Sequence, residues 1–447
     1  MGVFAFLRPA VGEEVSEGFR KRPAGHFGHA VEAFHLRLWR VLVVSVSGTI
    51  LVSTLTAGLA KDKKAVVIIV DGIPKDVIER LHVPVIYDIA KDGAFGASFV
   101  GGEVGMYNQT PTISAVGYNT MLTGVWVNKH NVYGNDNLSP NYNYWSIFRI
   151  AKEQRKPLTT AIFSSWTDNR TVLLGEGKPQ TGSLKIDYVF DGYDLDKVNF
   201  PDKENNLQIF DYDERVSIEA EKCIKEKGPD LSWVYLWYTD VASHMCGNGS
   251  YFDEYVTKVG EQIDRVWQAV KYRQKQFGED WMIIVTTDHG RTVDGHGHGG
   301  QSLRERTIWI ATNQKVNKRF RNGEASMADI NPTVCEFLGM DVPEQVAWER
   351  DGIPFIGKND ISDLEVTTYE REVTLSWKAW NKSATVSVYA CPENNYKTSG
   401  KENWIPLGTL KAGEEEFRYD LDKIGDSKIY KFVVKSDRVS LNRWLVL

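Results

Sequence analysis

Cysteine is scarce in this chain. Only four occur, Cys223, Cys246, Cys335 and Cys391, scattered and without CxxC spacing, which excludes a disulfide framework and a thiolate zinc site. Buried free thiols are expected instead. Excess positive charge is also lacking. The net charge is −6 and the pI near 5.9, which excludes a dedicated nucleic-acid-binding domain, since a phosphate backbone favours a basic surface. Nor are there extended disordered tracts: 447 residues, 42% hydrophobic and 25% charged, suit two or three globular domains with a sizeable core.

One apolar segment stands apart. Residues 41–60 follow His35, Arg37 and Arg40, end in small residues at Gly58 and Ala60, and precede Lys61-Asp62-Lys63-Lys64. This pattern resembles a secretory signal with its cleavage site, so the protein is expected to be exported to the periplasm, the cell surface or the medium. A membrane-anchoring helix is the alternative, because about 20 residues span a bilayer. Ser45, Ser47, Ser53 and Thr54 dilute the apolar character and favour cleavage. The leading 1–40 stretch is long for such a signal, as a later translation start would explain. Residues 1–60 are set apart from the fold.

From residue 61 onward, short apolar runs alternate with helical patterns. Residues 65–70 (AVVIIV) end at Asp71-Gly72, and 281–285 (WMIIV) lead through Thr286-Thr287 to Asp288-His289-Gly290. Continuous β-branched runs of this length read as buried strands of a parallel sheet. Residues 158–164 and 307–311 read as further strands, and 232–238 as one that terminates at Thr239-Asp240. Between them, 75–92 reads as a helical region split at Pro84, 114–123 as a helix stopped by Gly124, and 213–227 and 255–277 as amphipathic helices. Residues 328–338 read as a late helix. Residues 171–206, rich in Gly, Asp, Tyr and Lys, suit a substrate-facing insertion. The predicted fold is α/β, a doubly wound, mostly parallel sheet over 61–358. Residues 361–447 change to alternating patterns with turn-rich connections. That predicts a small all-β sandwich like fibronectin type III, with no catalytic constellation of its own.

Open α/β sheets bind ligands beyond the carboxyl ends of their strands. The polar residues expected there are Asp71, Ser114, Asp240 with His244, Asp288 with His289, and His298. Carboxylates and imidazoles are the usual zinc ligands, and together these seven residues can hold two ions. Three apolar runs each lead to an aspartate, and two of those aspartates have a histidine within four residues. Ser114 falls in the first turn of its helix, where the dipole favours a developing alkoxide. A serine hydroxyl needs activation to ionise at neutral pH, and coordination to one ion would supply it. The second ion would hold the water that resolves a phosphoseryl intermediate.

These motifs carry a resemblance. Val70-Asp71-Gly72, the helix from Ser114 to Gly124, Asp240-x-x-x-His244, Asp288-His289-Gly290 and His298-Gly299-Gly300 resemble the alkaline phosphatase superfamily over 64–345. Within it they are most similar to the type I phosphodiesterase/nucleotide pyrophosphatase branch. The resemblance implies an alkaline phosphatase-like fold and metal-dependent hydrolysis of phosphoric esters of a small phosphorylated substrate. It also implies one zinc held by Asp71, Asp288 and His289 with Ser114 as nucleophile, and another held by Asp240, His244 and His298. His296 is the rival of His298. The branch usually has threonine followed by Phe-Pro-Asn-His at the nucleophile, whereas Ser114 is followed by Ala115-Val116-Gly117-Tyr118. Ser-Ala is what alkaline phosphatases themselves show there, so monoester and diester substrates both stay open, with Thr110 and Thr112 as alternative nucleophiles. Sulfatases of the superfamily need Cys or Ser followed by x-Pro-x-Arg, which Ser114 lacks. Asn119, Asn135 and Arg306 are candidates for substrate contact. Two other readings compete: a transferase of the same fold passing phosphoethanolamine or phosphoglycerol to an alcohol, and a non-catalytic metal-binding surface protein.

Overall fold

The computed structural model describes residues 61–447; the 41–60 segment, with the export or anchoring expectation attached to it, lies outside the described residues. Among the described residues no helix is long and apolar enough to cross a membrane. The architecture is a large mixed sheet covered by helices on both faces, followed by two small antiparallel sheets. The large sheet has seven strands: β1 (Lys63–Val70), β2 (Ala94–Phe99), β3 (Thr160–Ser164), β4 (Tyr188–Phe190), β5 (Leu231–Leu236), β6 (Asp280–Thr286) and β7 (Thr307–Thr312), in the order β2-β7-β6-β1-β5-β3-β4.

β1 explains why the sheet is closed on both faces. Ala65, Val67 and Ile69 enter one core, and Val66, Ile68 and Val70 enter the other. Each of these Val and Ile side chains contributes about 1.5–3 kcal/mol relative to exposure, so the strand is stable only when covered on both sides. α1 (Lys75–Leu81) and α2 (Pro84–Ala90) follow, with Pro84 opening the second and His82 in left-handed backbone between them. α3 (Ser114–Thr123) is buried along its whole length and closes on Gly124 at φ 74°. α4 (Leu207–Lys227), α5 (Tyr238–Cys246), α6 (Ser250–Phe277) and α7 (Ile330–Leu338) complete the helices that matter to the site.

The sheet is mostly parallel, as expected, with an antiparallel pair of strands at one edge. β7 is antiparallel to β6, and β2 is antiparallel to β7. No crossover helix separates β6 from β7: Gly290 N donates to Glu305 O at 2.8 Å, so the chain leaves and re-enters the sheet at one end, and that connection permits only an antiparallel neighbour. Three expectations need correction. The 171–206 region is not wholly peripheral, since Tyr188–Phe190 forms the edge strand β4 beside β3. β5 stops at Leu236, and Asp240 lies in the first turn of α5 rather than at a strand end. Of the cysteines, all free, Cys246 is exposed while the other three are buried.

At the C-terminus, β8 (Ile361–Tyr369), β9 (Glu372–Ala379) and β12 (Glu416–Asp420) form one antiparallel sheet. β10 (Thr385–Cys391), β11 (Ile405–Lys411), β13 (Ile429–Lys435) and β14 (Ser440–Val446) form the other. Val373, Leu375 and Trp377 meet Val386, Val388, Phe432 and Val434 in a single core between them. Buried charges tie these sheets to the larger one: Lys129 Nζ donates to Asp351 Oδ1 (2.6 Å), Glu349 O (2.8 Å) and Asn442 Oδ1 (3.1 Å).

Candidate active site

The ends of β1 and β6 and the start of α3 converge on one buried point. Asp71, Asp288 and His289 are each fully buried, and their ligand-type atoms lie within 4.8 Å of one another. Asp71 Oδ2 accepts from the hydroxyls of Tyr118 and Tyr235 (2.7 Å for Tyr235), and Asp288 Oδ1 accepts from Gly72 N at 3.0 Å. The other oxygen of each carboxylate, Asp71 Oδ1 and Asp288 Oδ2, has no hydrogen-bond partner. They lie 3.5 Å and 3.3 Å from His289 Nε2. His289 Nδ1 faces Gly290 O at 2.9 Å, which assigns the proton to Nδ1 and leaves the Nε2 lone pair free. Ser114 Oγ lies 3.2 Å from that nitrogen. Two orphaned carboxylate oxygens and an imidazole lone pair around one point are the donor set a divalent cation requires.

A second cluster adjoins the first. Asp240 and His244 occupy positions i and i+4 of α5 and therefore share a helix face. His298 comes from the loop between β6 and β7. His244 Nε2 and His298 Nε2 are 3.0 Å apart, and Asp240 Oδ1 lies 3.4 Å and 3.7 Å from them. His298 Nδ1 is turned to Thr112 O at 2.8 Å, which frees Nε2 here too. The rings of His289 and His298 stack at 3.7 Å, so the two clusters share a wall. A residue with no sequence signal stands behind this cluster. Arg291, fully buried, donates to Asp240 Oδ1, to Asp240 O (3.0 Å) and to Gly72 O (3.0 Å). Nothing in the local pattern signals it, because an arginine after Asp-His-Gly reads as a surface residue.

The remaining candidates fall on either side of the site. Asn135 is brought to it: its Oδ1 accepts from Ala115 N at 2.9 Å, beside the nucleophile position. Asn119 is not; it lines a small separate cavity with Tyr142, Tyr144 and Arg149, because five helical residues turn it away from Ser114. Arg306 donates to Gly102 O at 2.6 Å and is occupied there. His296 is exposed and faces His244 O through Nδ1 at 3.0 Å, so it supports α5 rather than joining the ligand cluster. Thr110 Oγ1 is committed to Asn108 O and Val127 N. Thr112 Oγ1 donates to Gly300 O and accepts from Gly299 N, stapling the His298 loop to the entry of α3. Asp213 was also missed: its carboxylate accepts from Trp237 N (2.8 Å) and Tyr238 N (2.7 Å) and fixes the turn from β5 into α5.

A family profile described as type I phosphodiesterase / nucleotide pyrophosphatase matches residues 65–405. The chain belongs to this phosphodiesterase family. Solved structures similar to this family member include a 2-O GAG sulfatase, at 13% identity and a TM-score of 0.47, covering 81% of this chain and 86% of that one. Murine ectonucleotide pyrophosphatase/phosphodiesterase 5 is 14% identical with a TM-score of 0.42, covering 63% and 96%. Phosphonoacetate hydrolase from Sinorhizobium meliloti is 17% identical with a TM-score of 0.38, covering 53% and 59%. No curated protein matches the chain in sequence.

In this phosphodiesterase-family chain the buried charges strain against one another. Burial, reinforced by the Asp288 and Asp240 carboxylates, holds Asp71 well above the usual carboxylate range, and burial pushes Asp288 up to about 7. Burial acts the same way on Asp240, but the Arg291 guanidinium and the neighbouring histidines outweigh it and hold that carboxyl below its usual range. His289 and His298 are both lowered, chiefly by burial, which keeps their rings neutral as ligands must be. A pH dependence follows for protein stripped with a chelator. Between about pH 4, where an unfolded aspartate loses its proton, and about 7 for Asp288, the folded chain holds protons that the unfolded chain has released. This contribution to stability is therefore complete at low pH and is lost as pH rises towards 7. The lowered His289 and His298 act in the opposite sense below about pH 6.5, so the carboxylate contribution is read by difference: from pH 5.5 to 7.5 the urea midpoint of stripped Asp288→Asn should fall less, or rise more, than that of stripped wild type, and identical profiles would contradict it.

Proposed function

We propose that this family member is an exported hydrolase of phosphate diesters or nucleotide pyrophosphates, with phosphate monoesters as a further substrate class. It works through a phosphoserine on Ser114 at a two-zinc centre. The observation that carries the reading is Ser114 Oγ at the head of α3, 3.2 Å from His289 Nε2 and beside the orphaned oxygens of Asp71 and Asp288. Asp71, Asp288 and His289 would hold one ion, and Asp240, His244 and His298 the other. Such a pair supplies Lewis-acid stabilisation of the attacking and departing oxygens.

The chain's own residues supply the remainder. The positive end of α3 lowers the cost of negative charge on Ser114 Oγ. That oxygen gives up its proton to solvent and attacks phosphorus, breaking the bond to the ester oxygen, which leaves with the displaced group and takes up a proton from solvent; water then attacks the phosphoseryl phosphorus, one of its hydrogens ending on Ser114 Oγ as the serine O–P bond breaks. Tyr118 and Tyr235 hold Asp71 in one orientation, and Gly72 N does the same for Asp288. Asn135, its carbonyl oxygen bound to Ala115 N, keeps its amide hydrogens for a non-bridging phosphoryl oxygen. Ser114 lacks the Pro and Arg of the sulfatase setting. The test is a panel on zinc-loaded protein: bis-p-nitrophenyl phosphate, a nucleoside triphosphate, p-nitrophenyl phosphate and p-nitrophenyl sulfate. Turnover of phosphate esters without the sulfate is expected, and failure on every phosphate ester would reject the proposal.

A further inference from the structure

The two donor clusters, read as the two-metal centre proposed above, are unequal in charge. The first offers Asp71 and Asp288, two carboxylates whose existing partners are neutral donors: two tyrosine hydroxyls and the Gly72 amide. The second offers one carboxylate, Asp240, and Arg291 already neutralises it. Formally the first cluster carries −2, and the second, with its arginine, carries zero. A guanidinium offers five N–H donors and no acceptor, so it faces Asp240 only as a cationic donor. It also cannot withdraw, since it is fully buried and pinned by Gly72 O and Asp240 O, each at 3.0 Å. Space is reserved for it as well: a Cβ on Gly72 would stand 2.4 Å from Arg291 Nη2, and Gly72 has a φ of +66° that disfavours any other residue.

We propose that Arg291 is a positioning residue that ranks the two metal sites. The Asp71/Asp288/His289 cluster fills first and holds its ion tightly, while the Asp240/His244/His298 cluster fills second and exchanges. When the second cluster holds no ion, the arginine serves as the counter-charge of Asp240. A rival role would be preorganisation, in which the arginine strengthens the second site by orienting Asp240. The two roles predict opposite signs. A fixed cation beside an incoming dication in a buried setting repels it. Preorganisation has less to supply, because Asp240 is already restrained in the first turn of α5, with its N–H on Trp237 O at 3.0 Å.

Competition of the full chain with a chromophoric zinc chelator measures both affinities directly. Wild type should bind two ions per chain in classes separated by at least about tenfold, the scale of effects exerted by groups behind the ligands. R291Q, which keeps hydrogen-bonding capacity without charge, should narrow the gap by about tenfold by tightening the weaker class more than the tighter one. R291K, which keeps the charge, should preserve the gap, and H244A should remove the weaker class. An R291Q protein with an unchanged or weaker second class overturns the proposal. Two equal affinities in wild type overturn it while leaving a two-metal centre intact. Fewer than two ions in wild type overturns both.

Discussion

Ser114→Ala is expected to lower turnover of phosphate esters by at least about 10³-fold, the scale on which removal of a nucleophile acts, while zinc content stays near two per chain. The separation of the two effects is the point of the experiment. Asp71, Asp288 and His289 keep their positions through hydrogen bonds with Tyr118, Tyr235, Gly72 and Gly290, none of which involves the serine hydroxyl. The hydroxyl is therefore dispensable for holding ions and indispensable for attack. No neighbouring hydroxyl can take over, because Thr110 and Thr112 are both bound into the backbone. Mass spectrometry of acid-quenched wild type should find phosphate on the 114-containing peptide. Full activity in the variant would eliminate the phosphoserine route.

The second large effect lies at the junction of the two sheet systems. Lys431 is fully buried, and its ammonium bridges Glu349 Oε1 and Glu402 Oε2 while lying 5.3 Å and 5.7 Å from the ring centroids of Trp404 and Trp444. Burial already pushes the Glu349 carboxyl upward against the opposing pull of Lys431 and Lys129. Lys431→Met would leave two carboxylates buried without their cation. Breaking such a group by removing one partner costs about 3–5 kcal/mol, which the urea unfolding midpoint should show. Adding Glu349→Gln and Glu402→Gln should recover part of the loss, because the desolvation penalty then falls on neutral amides. A loss below about 1 kcal/mol for the single change would mean that water or relaxation satisfies the carboxylates.

Much of the site is legible in the sequence because acids follow short apolar runs. Asp71 and Asp288 sit where continuous β-branched strands end, and Ser114 opens a helix whose glycine stop is visible. The aromatic stretch around Trp233 and Trp237 does not reveal where strand gives way to helix, since both states bury such residues. Asp240 therefore belongs to a helix turn whose start is set by Asp213, remote in sequence. β2, with Ala94, Gly96, Ala97 and Ser98, escapes notice because it lacks β-branched residues, and it exists only through pairing with β7. Arg291 and Lys431 are hidden for a shared reason. A charged side chain reads as exposed until partners from distant segments are assembled around it, and the pairing that makes burial tolerable has no local signature.

The return of β7 beside β6 has a consequence for how this chain could diversify. The excursion that carries His298 is clamped at its base by Gly290 N on Glu305 O, and near its far end by the Ser302 and Glu305 capping box. Its tip, by contrast, is open to solvent, with Val293 and Asp294 exposed. Lengthening a loop with fixed ends costs only about 0.6 kcal/mol per doubling. Insertions at Val293–Asp294, where Asn248 ties the tip to the turn after α5, would change that outer surface and leave Asp288 and His289 unmoved, because they sit below the clamp. The loop's outer surface and the acid and imidazole groups at its base would then be free to vary separately along fewer than twenty consecutive residues.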